Sequence, residues 1–239
     1  GGVDNINGLN GYTYAWYNGS TKVSSTKYYT AKESGTYRFV VTTGAGASSE
    51  ASFVVNIDKV KPTCSLSPSG TAGTNGWYKS NATVTLSTSD ILSKVERYGL
   101  TTSGSATYNS SASNTQSDTA SQTWYGYVID YAGNETSCNN PVKVDTQKPS
   151  CTVTLSGTVG NNGWYKSGVS VTLNSSDNGP SGVSKTGLGT GSSPTLGNKT
   201  SASQGNTSGV TYYGRVQDAA GHISDTCNSG SFKVDSSNP

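Results

Sequence analysis

One stretch of this chain occurs twice. Lys61-Pro62-Thr63-Cys64 returns as Lys148-Pro149-Ser150-Cys151, and Gly76-Trp77-Tyr78-Lys79-Ser80 returns as Gly163-Trp164-Tyr165-Lys166-Ser167. Cys64 and Trp77 each recur 87 positions later, as Cys151 and Trp164, so the copies stay in register. A period of roughly ninety residues is too long for helical or leucine-rich solenoid repeats. It fits self-contained modules that each bury a core.

The repeat also has a stop. Asn56-Ile57-Asp58, Lys143-Val144-Asp145 and Lys233-Val234-Asp235 each read as the end of a last strand, and a proline follows each one closely. These stops divide the chain into units 1–58, 59–147 and 148–239. The third stop falls where a further copy would begin. With no methionine and a Gly-Gly start, the sequence reads as a piece of a longer array.

Hydrophobic residues make up 31% of the chain and glycine numbers 30, which raises the question of disorder. The other half of the disorder signature is missing: net charge is +2, aromatics reach 9%, and apolar residues fall in alternating runs. Folded domains with thin cores are expected. Charged residues are 13%, against roughly 25% in an average soluble domain, so hydroxyl and amide groups must cover the surface, as in secreted proteins. Near-neutral charge leaves no electrostatic footprint for nucleic acid, and no Lys/Arg cluster suits an anionic membrane. The longest apolar runs, such as Phe53-Val54-Val55, are far short of a membrane span.

Four cysteines stand at 64, 138, 151 and 227, one pair per copy, without a spacing that suggests zinc. Three pairings are open. Cys64 with Cys138 and Cys151 with Cys227 is favoured because each copy then repeats the same bond, joining first strand to last. Cys138 and Cys151 are separated by an extended strand and a linker, beyond bridging distance. Free buried thiols are the alternative, and an oxidising compartment favours the bonds.

Period-two alternation marks strands at Ala82-Thr83-Val84-Thr85-Leu86 and Val169-Ser170-Val171-Thr172-Leu173. Trp124-Tyr125-Gly126-Tyr127-Val128-Ile129-Asp130 aligns with Tyr212-Tyr213-Gly214-Arg215-Val216-Gln217-Asp218. Positions 124, 126 and 128 keep their character between copies and should face the core, whereas Tyr127 and Ile129 should face out. No segment has a helical period, so the fold class is all-β. Asp130-Tyr131-Ala132-Gly133-Asn134 and its counterpart ending in His222 read as tight hairpins.

The order of these motifs resembles the bacterial immunoglobulin-like (Big-type) tandem repeats of large cell-surface and adhesin proteins, over residues 59 to 235. In the second copy His222 departs from the usual Asn. The resemblance implies tandem immunoglobulin-like β-sandwich domains and an extracellular, cell-surface or cell-wall location. It also implies a stalk or adhesin role, further Ig-like repeats in the parent chain as partners, and a host glycan or protein ligand bound through other domains. Residues 1–58 look like the central and later strands of another Ig-like or PKD-like module, with Tyr12, Tyr14 and Trp16 on one face. Too few residues precede Trp16 for the usual first two strands, so this unit reads as truncated or completed from outside the chain.

Chemistry finds little to work with. The one histidine, His222, sits in a predicted hairpin, and the fourteen acidic residues form no glycosidase pair. No catalytic, cofactor or metal residue is assigned, and the chain is not expected to be an enzyme. The candidate calcium ligands are Asp90 and Asp177, which should lie at the same end as the hairpins carrying Asp130 and Asp218, with the linker residues Asp58, Asp145 and Asp235 approaching that end or the next domain. Two aspartates with backbone carbonyls would hold calcium weakly, and turn capping accounts for them. A carbohydrate-binding module of a secreted multidomain enzyme is the alternative function. Trp77, Tyr78 and Tyr125 recur in the second copy and so should serve the fold, which leaves Tyr127, matched by Arg215, as the better sugar-stacking candidate.

Overall fold

The computed structural model describes residues 11–238. Residues 1–10 of the first unit and Pro239 of the third lie outside the described residues. All regular elements within them are strands.

In the first unit, β1 (Tyr12–Asn18), β2 (Thr21–Ser24), β3 (Gly35–Thr43) and β4 (Ser48–Val55) form one antiparallel sheet in the order β2-β1-β3-β4. Trp16 pairs with Phe39 and Tyr14 with Val41. Period-two pleating therefore puts Tyr14, Trp16 and Phe39 on one face, with ring centroids 4.5 Å apart for Trp16–Phe39 and 6.0 Å for Tyr14–Phe39. Among the described residues of this unit, only Tyr37 is a fully buried large side chain.

Residues 59–147 form a two-layer sandwich. Its strands are β5 (Thr63–Ser69), β6 (Trp77–Tyr78), β7 (Ala82–Ser89), β8 (Val95–Thr101), β9 (Ser113–Gln116), β10 (Thr119–Asp130) and β11 (Glu135–Val144). One sheet runs β5-β7-β9 and the other β6-β11-β10-β8. Alternation on β7 sends Ala82, Val84 and Leu86 inward, where they meet Leu100, Trp124, Val142 and Val144. The Cys64–Cys138 bond ties the two sheets together, with the Cα atoms 5.7 Å apart.

Residues 148–238 repeat this plan with β12 (Ser150–Ser156), β13 (Trp164–Tyr165), β14 (Val169–Ser176), β15 (Val183–Gly189), β16 (Ser201–Gln204), β17 (Thr207–Val210), β18 (Tyr213–Asp218), β19 (Cys227–Asn228) and β20 (Phe232–Val234). Val169, Val171 and Leu173 of β14 pack on Leu188, Tyr212, Val216, Phe232 and Val234. Cys151 pairs with Cys227, Cα atoms 5.9 Å apart.

One sequence expectation needs correction. The last strand of the second copy is not continuous: β11 has become β19 and β20, so Cys227 is not on the final strand. The physical cause is one extra residue between the cysteine and the final valine, Cys227 to Val234 against Cys138 to Val144. Gly230 absorbs it at φ +69°. Ile129 lies on the face opposite Val128, as expected, yet it is buried there, flanked across the sheet by Arg97 and Glu135. Trp124, Gly126 and Val128 are buried as expected. Gly126 is required there, since a Cβ would lie 2.7 Å from Leu86 Cδ1 and 2.9 Å from Cys138 Sγ.

Candidate functional site at the joints between units

The recurrent aromatic residues are occupied with the fold. Trp124 Nε1 donates to Gln116 Oε1 at 2.8 Å, and Tyr212 Oη pairs with Gln204 Oε1 at 3.1 Å, the same anchor in each copy. Lys143 Nζ lies 5.6 Å over the ring of Trp77 and Lys233 Nζ 5.5 Å over that of Trp164. Tyr78 donates its hydroxyl to Pro68 O at 3.1 Å. Tyr127 is different. It is half-buried, stacks on Tyr125 with centroids 6.4 Å apart, and lines an open cleft with Lys61, Tyr108, Glu135 and Ser137. Burial, reinforced by the nearby Glu135 carboxylate, pushes the Tyr108 phenol above its usual range.

The hairpins form as their sequences require. Gly133 and Gly221 adopt φ +87° and +96°. Asp130 Oδ1 accepts the backbone N–H groups of Ala132 and Asn134 at 2.9 and 2.8 Å. Asp218 Oδ1 likewise accepts those of Gly221 and His222, and His222 Nδ1 lies 3.0 Å from Asp218 Oδ2.

Two of the linker aspartates, Asp58 and Asp145, bond into the unit that follows them. Asp58 Oδ1 accepts the N–H of Val60 at 2.8 Å, turning the linker, while Oδ2 accepts the N–H of Ser93 from the loop after β7 at 2.9 Å. Asp145 repeats both bonds with Gln147 at 2.9 Å and Ser181 at 3.0 Å. The turn at Asp235 is the same, with Ser237 N–H at 3.0 Å. At the first joint, the Asn134 amide also donates to Asp58 O and Val60 O, both at 3.2 Å. The Ser93 hydroxyl beside it and the Val60 N–H hold the Asp58 carboxyl below the usual range. Burial pushes the Asp130 carboxyl up, but the Asn134 side chain and the N–H groups of Asn134 and Ala132 outweigh that and leave it low.

A further contact spans the second joint. Ala219 and Ala220, in the hairpin of the last repeat, meet the loop before β6 of the preceding one. Thr74 N–H donates to Ala220 O at 2.9 Å, Thr74 Oγ1 to Ala219 O at 2.8 Å, and Asn75 Nδ2 to Ala219 O at 3.2 Å. Asn75 adopts φ +55°, a conformation that Asn tolerates better than most residues. Nothing in the sequence flagged Thr74, because loop-to-hairpin docking has no periodicity to read.

Among the described residues, the groups able to hold a cation are two sets of three: Asp58, Asp90 and Asp130 at the first joint, and Asp145, Asp177 and Asp218 at the second. Asp90 and Asp177 follow β7 and β14, the second long strand of each repeat, and lie at the hairpin end, as expected. The linker carboxylate is the third member that the sequence reading did not count.

No family model matches the chain, and no curated protein does so either. Among solved structures, the chain is similar to Drosophila OTK extracellular domains 3–5, at 10% identity over 98% of this chain and 88% of that one, with a TM-score of 0.44. It is also similar to a tetra-tandem repeat from the extending region of a large adhesion protein, at 14% identity over 95% and 67%, TM-score 0.36. Fibronectin(III)-like modules of Clostridium thermocellum CbhA match at 12% identity over 69% and 92%, TM-score 0.33.

Proposed function

We propose that this chain is a spacer: a row of Ig-like sandwiches in a bacterial surface or secreted protein that holds a distal domain away from its anchor, with no catalytic role of its own. The observation that carries this reading is the second joint. Its linker aspartate is 0% exposed and bonded into the next repeat, and the neighbouring hairpin is docked by three hydrogen bonds. A joint so bonded resists folding back, and Pro149 in the same linker biases its neighbour toward extended geometry. Two disulfides favour an oxidising, extracellular setting and limit how far a pulled domain can extend. Small-angle scattering tests the reading. A radius of gyration well above the roughly 18 Å expected of a single globule of this length supports a spacer, and a value near it refutes one.

A second reading, a carbohydrate-binding module, is favoured by one observation: Tyr127 lines an open cleft instead of serving the core. A glycan bound on an array and lost in Tyr127→Ala would establish it, whereas a blank array removes it.

A further inference from the structure

We propose that β4, the edge strand of the first unit, is a docking edge on which a second copy of this chain lays its own β4 antiparallel, joining the two sheets into one.

The outward backbone of β4 is unpaired. The strand closes one side of the sheet β2-β1-β3-β4 and pairs with β3 without a register shift. At the connecting turn, Thr43 N–H donates to Ala47 O at 2.8 Å. Antiparallel bonding alternates from there, so Ser49, Ala51, Phe53 and Val55 bond β3 while Ser48, Glu50, Ser52 and Val54 turn their N–H and C=O groups outward. The bond from Gly19 N–H to Thr36 O fixes the same alternation from the β1 side. Among the described residues, nothing bonds those outward groups, and the strand is exposed along its length up to Val55. Unpaired donors and acceptors in a row at strand spacing fit another strand.

The later units guard comparable edges. On β8, Asn109 bonds both Leu100 N–H and Leu100 O, and Ser110 N–H donates to Tyr98 O. On β15, Thr186 and Gly197 exchange both backbone bonds. On β11, the last strand of its unit as β4 is of its own, Pro141 removes a donor, the Cys64–Cys138 bond ties the strand to β5, and β6 pairs with its end. Proline, bulges and unpaired charge are the common guards of an exposed edge. β4 has no proline, cysteine or bulge, and its one charge, Glu50, is neutralised by Arg38.

The strand is also its own complement. With Ser52 opposite Ser52 of the second copy, Glu50 meets Val54 and not another Glu50. On the other face Ala51 meets Phe53, which is 43% exposed and packs edge-on against Trp16 at 5.8 Å. A two-fold pairing of this kind occupies both β4 edges and closes.

The pairing goes beyond the spacer reading, and its test reads mass and amide protection, not shape. Sedimentation equilibrium of the whole protein from about 1 µM to about 1 mM should show a reversible dimer with Kd of about 10⁻⁵–10⁻⁴ M, as suits a small interface. Over the same range, exchange of the Glu50, Ser52 and Val54 amides should slow at least about threefold, whereas Ala51 and Phe53, bonded to β3, are protected throughout. Ser52→Pro, which an exposed edge tolerates, and Ser52→Lys, which sets like charges opposite each other, should each weaken the dimer at least about tenfold. Trp16 fluorescence reports that the first unit stays folded in both. A monomer up to about 1 mM, ten times the weakest expected Kd, overturns the proposal. So does a dimer that survives both substitutions, or outward amides already protected at the lowest concentration, the sign that the same chain covers this edge.

Discussion

Asp145 and Asp235 occupy the same place in their repeats, yet one is 0% exposed and the other lies open to solvent. Locally they are twins. Each backbone N–H bonds the carbonyl of the tyrosine two residues past the repeated glycine, Tyr78 or Tyr165, at 2.9 Å. Each Oδ1 caps the residue two positions on. The difference is that Asp145 has a following repeat, whose Ser181 N–H takes its second oxygen and whose Gly179 leaves no room for a Cβ beside the carboxylate. Burial of the linker aspartate is thus a property of the joint and not of the turn. The same short stop motif is an exposed turn at Asp235, half-buried at Asp58 and fully buried at Asp145.

The harshest way to break this comparison is to remove the unit that covers Asp145. Replacing Cys151 and Cys227 by alanine reopens a loop with a sequence separation of 76. It should destabilise the last repeat by about 2–5 kcal/mol, as read by denaturant unfolding. Hydrogen exchange at Ser181 should then rise to match global opening of that repeat, while Gln147, whose bond is local, keeps its protection.

A smaller and more specific effect comes from the aspartates themselves. Asp145→Ala strands two backbone donors and should cost about 1–3 kcal/mol. Asp235→Ala loses only an exposed turn contact and should stay within about 0.5 kcal/mol. Equal costs would mean that the turn, and not the joint, uses the carboxylate. Gly214→Ala forces a methyl against Leu173 Cδ1 and Cys227 Sγ and should cost about 1–3 kcal/mol by overpacking, with Gly126→Ala similar in the other repeat. Neither methyl meets a joint residue, so neither should change exchange at Ser93 or Ser181 beyond what the lower global stability dictates.

The smallest effect is that of pH at the first joint. Asp58 and Asp130 are both held below the ordinary aspartate value of 3.8 in the folded chain. The unfolded chain therefore takes up protons first as acidity rises. The stability that these groups confer is complete above that value and is lost as pH falls through the lower folded values. Urea midpoints should be flat from neutral pH down to about 5 and fall below about 4, less steeply in Asp130→Asn.

Much of the fold was legible because its signals are local. Alternation in Ala82–Leu86 and Val169–Leu173 marks inward faces directly, and Asp-x-Ala-Gly specifies its own hairpin through a positive-φ glycine and a capping carboxylate. The cysteine pairing followed from the duplication. What could not be read depends on distant partners. Ile129 is buried by what lies across the sheet, the break between β19 and β20 follows from a single inserted residue, and the joint depends on Thr74 meeting Ala220, residues with no mark of their own. The aspartates were visible as candidates, but the third carboxylate of each set comes from the unit before, and only assembled domains bring it in.

The central claim is that consecutive repeats are locked through the linker aspartate and the docked hairpin. Residual dipolar couplings measured separately for residues 59–144 and 150–238 test it most directly. A single alignment tensor fitting both segments, which splits into two in the Asp145→Ala, Thr74→Ala double variant, is the predicted result. Two tensors of clearly different magnitude in the wild type would contradict the account.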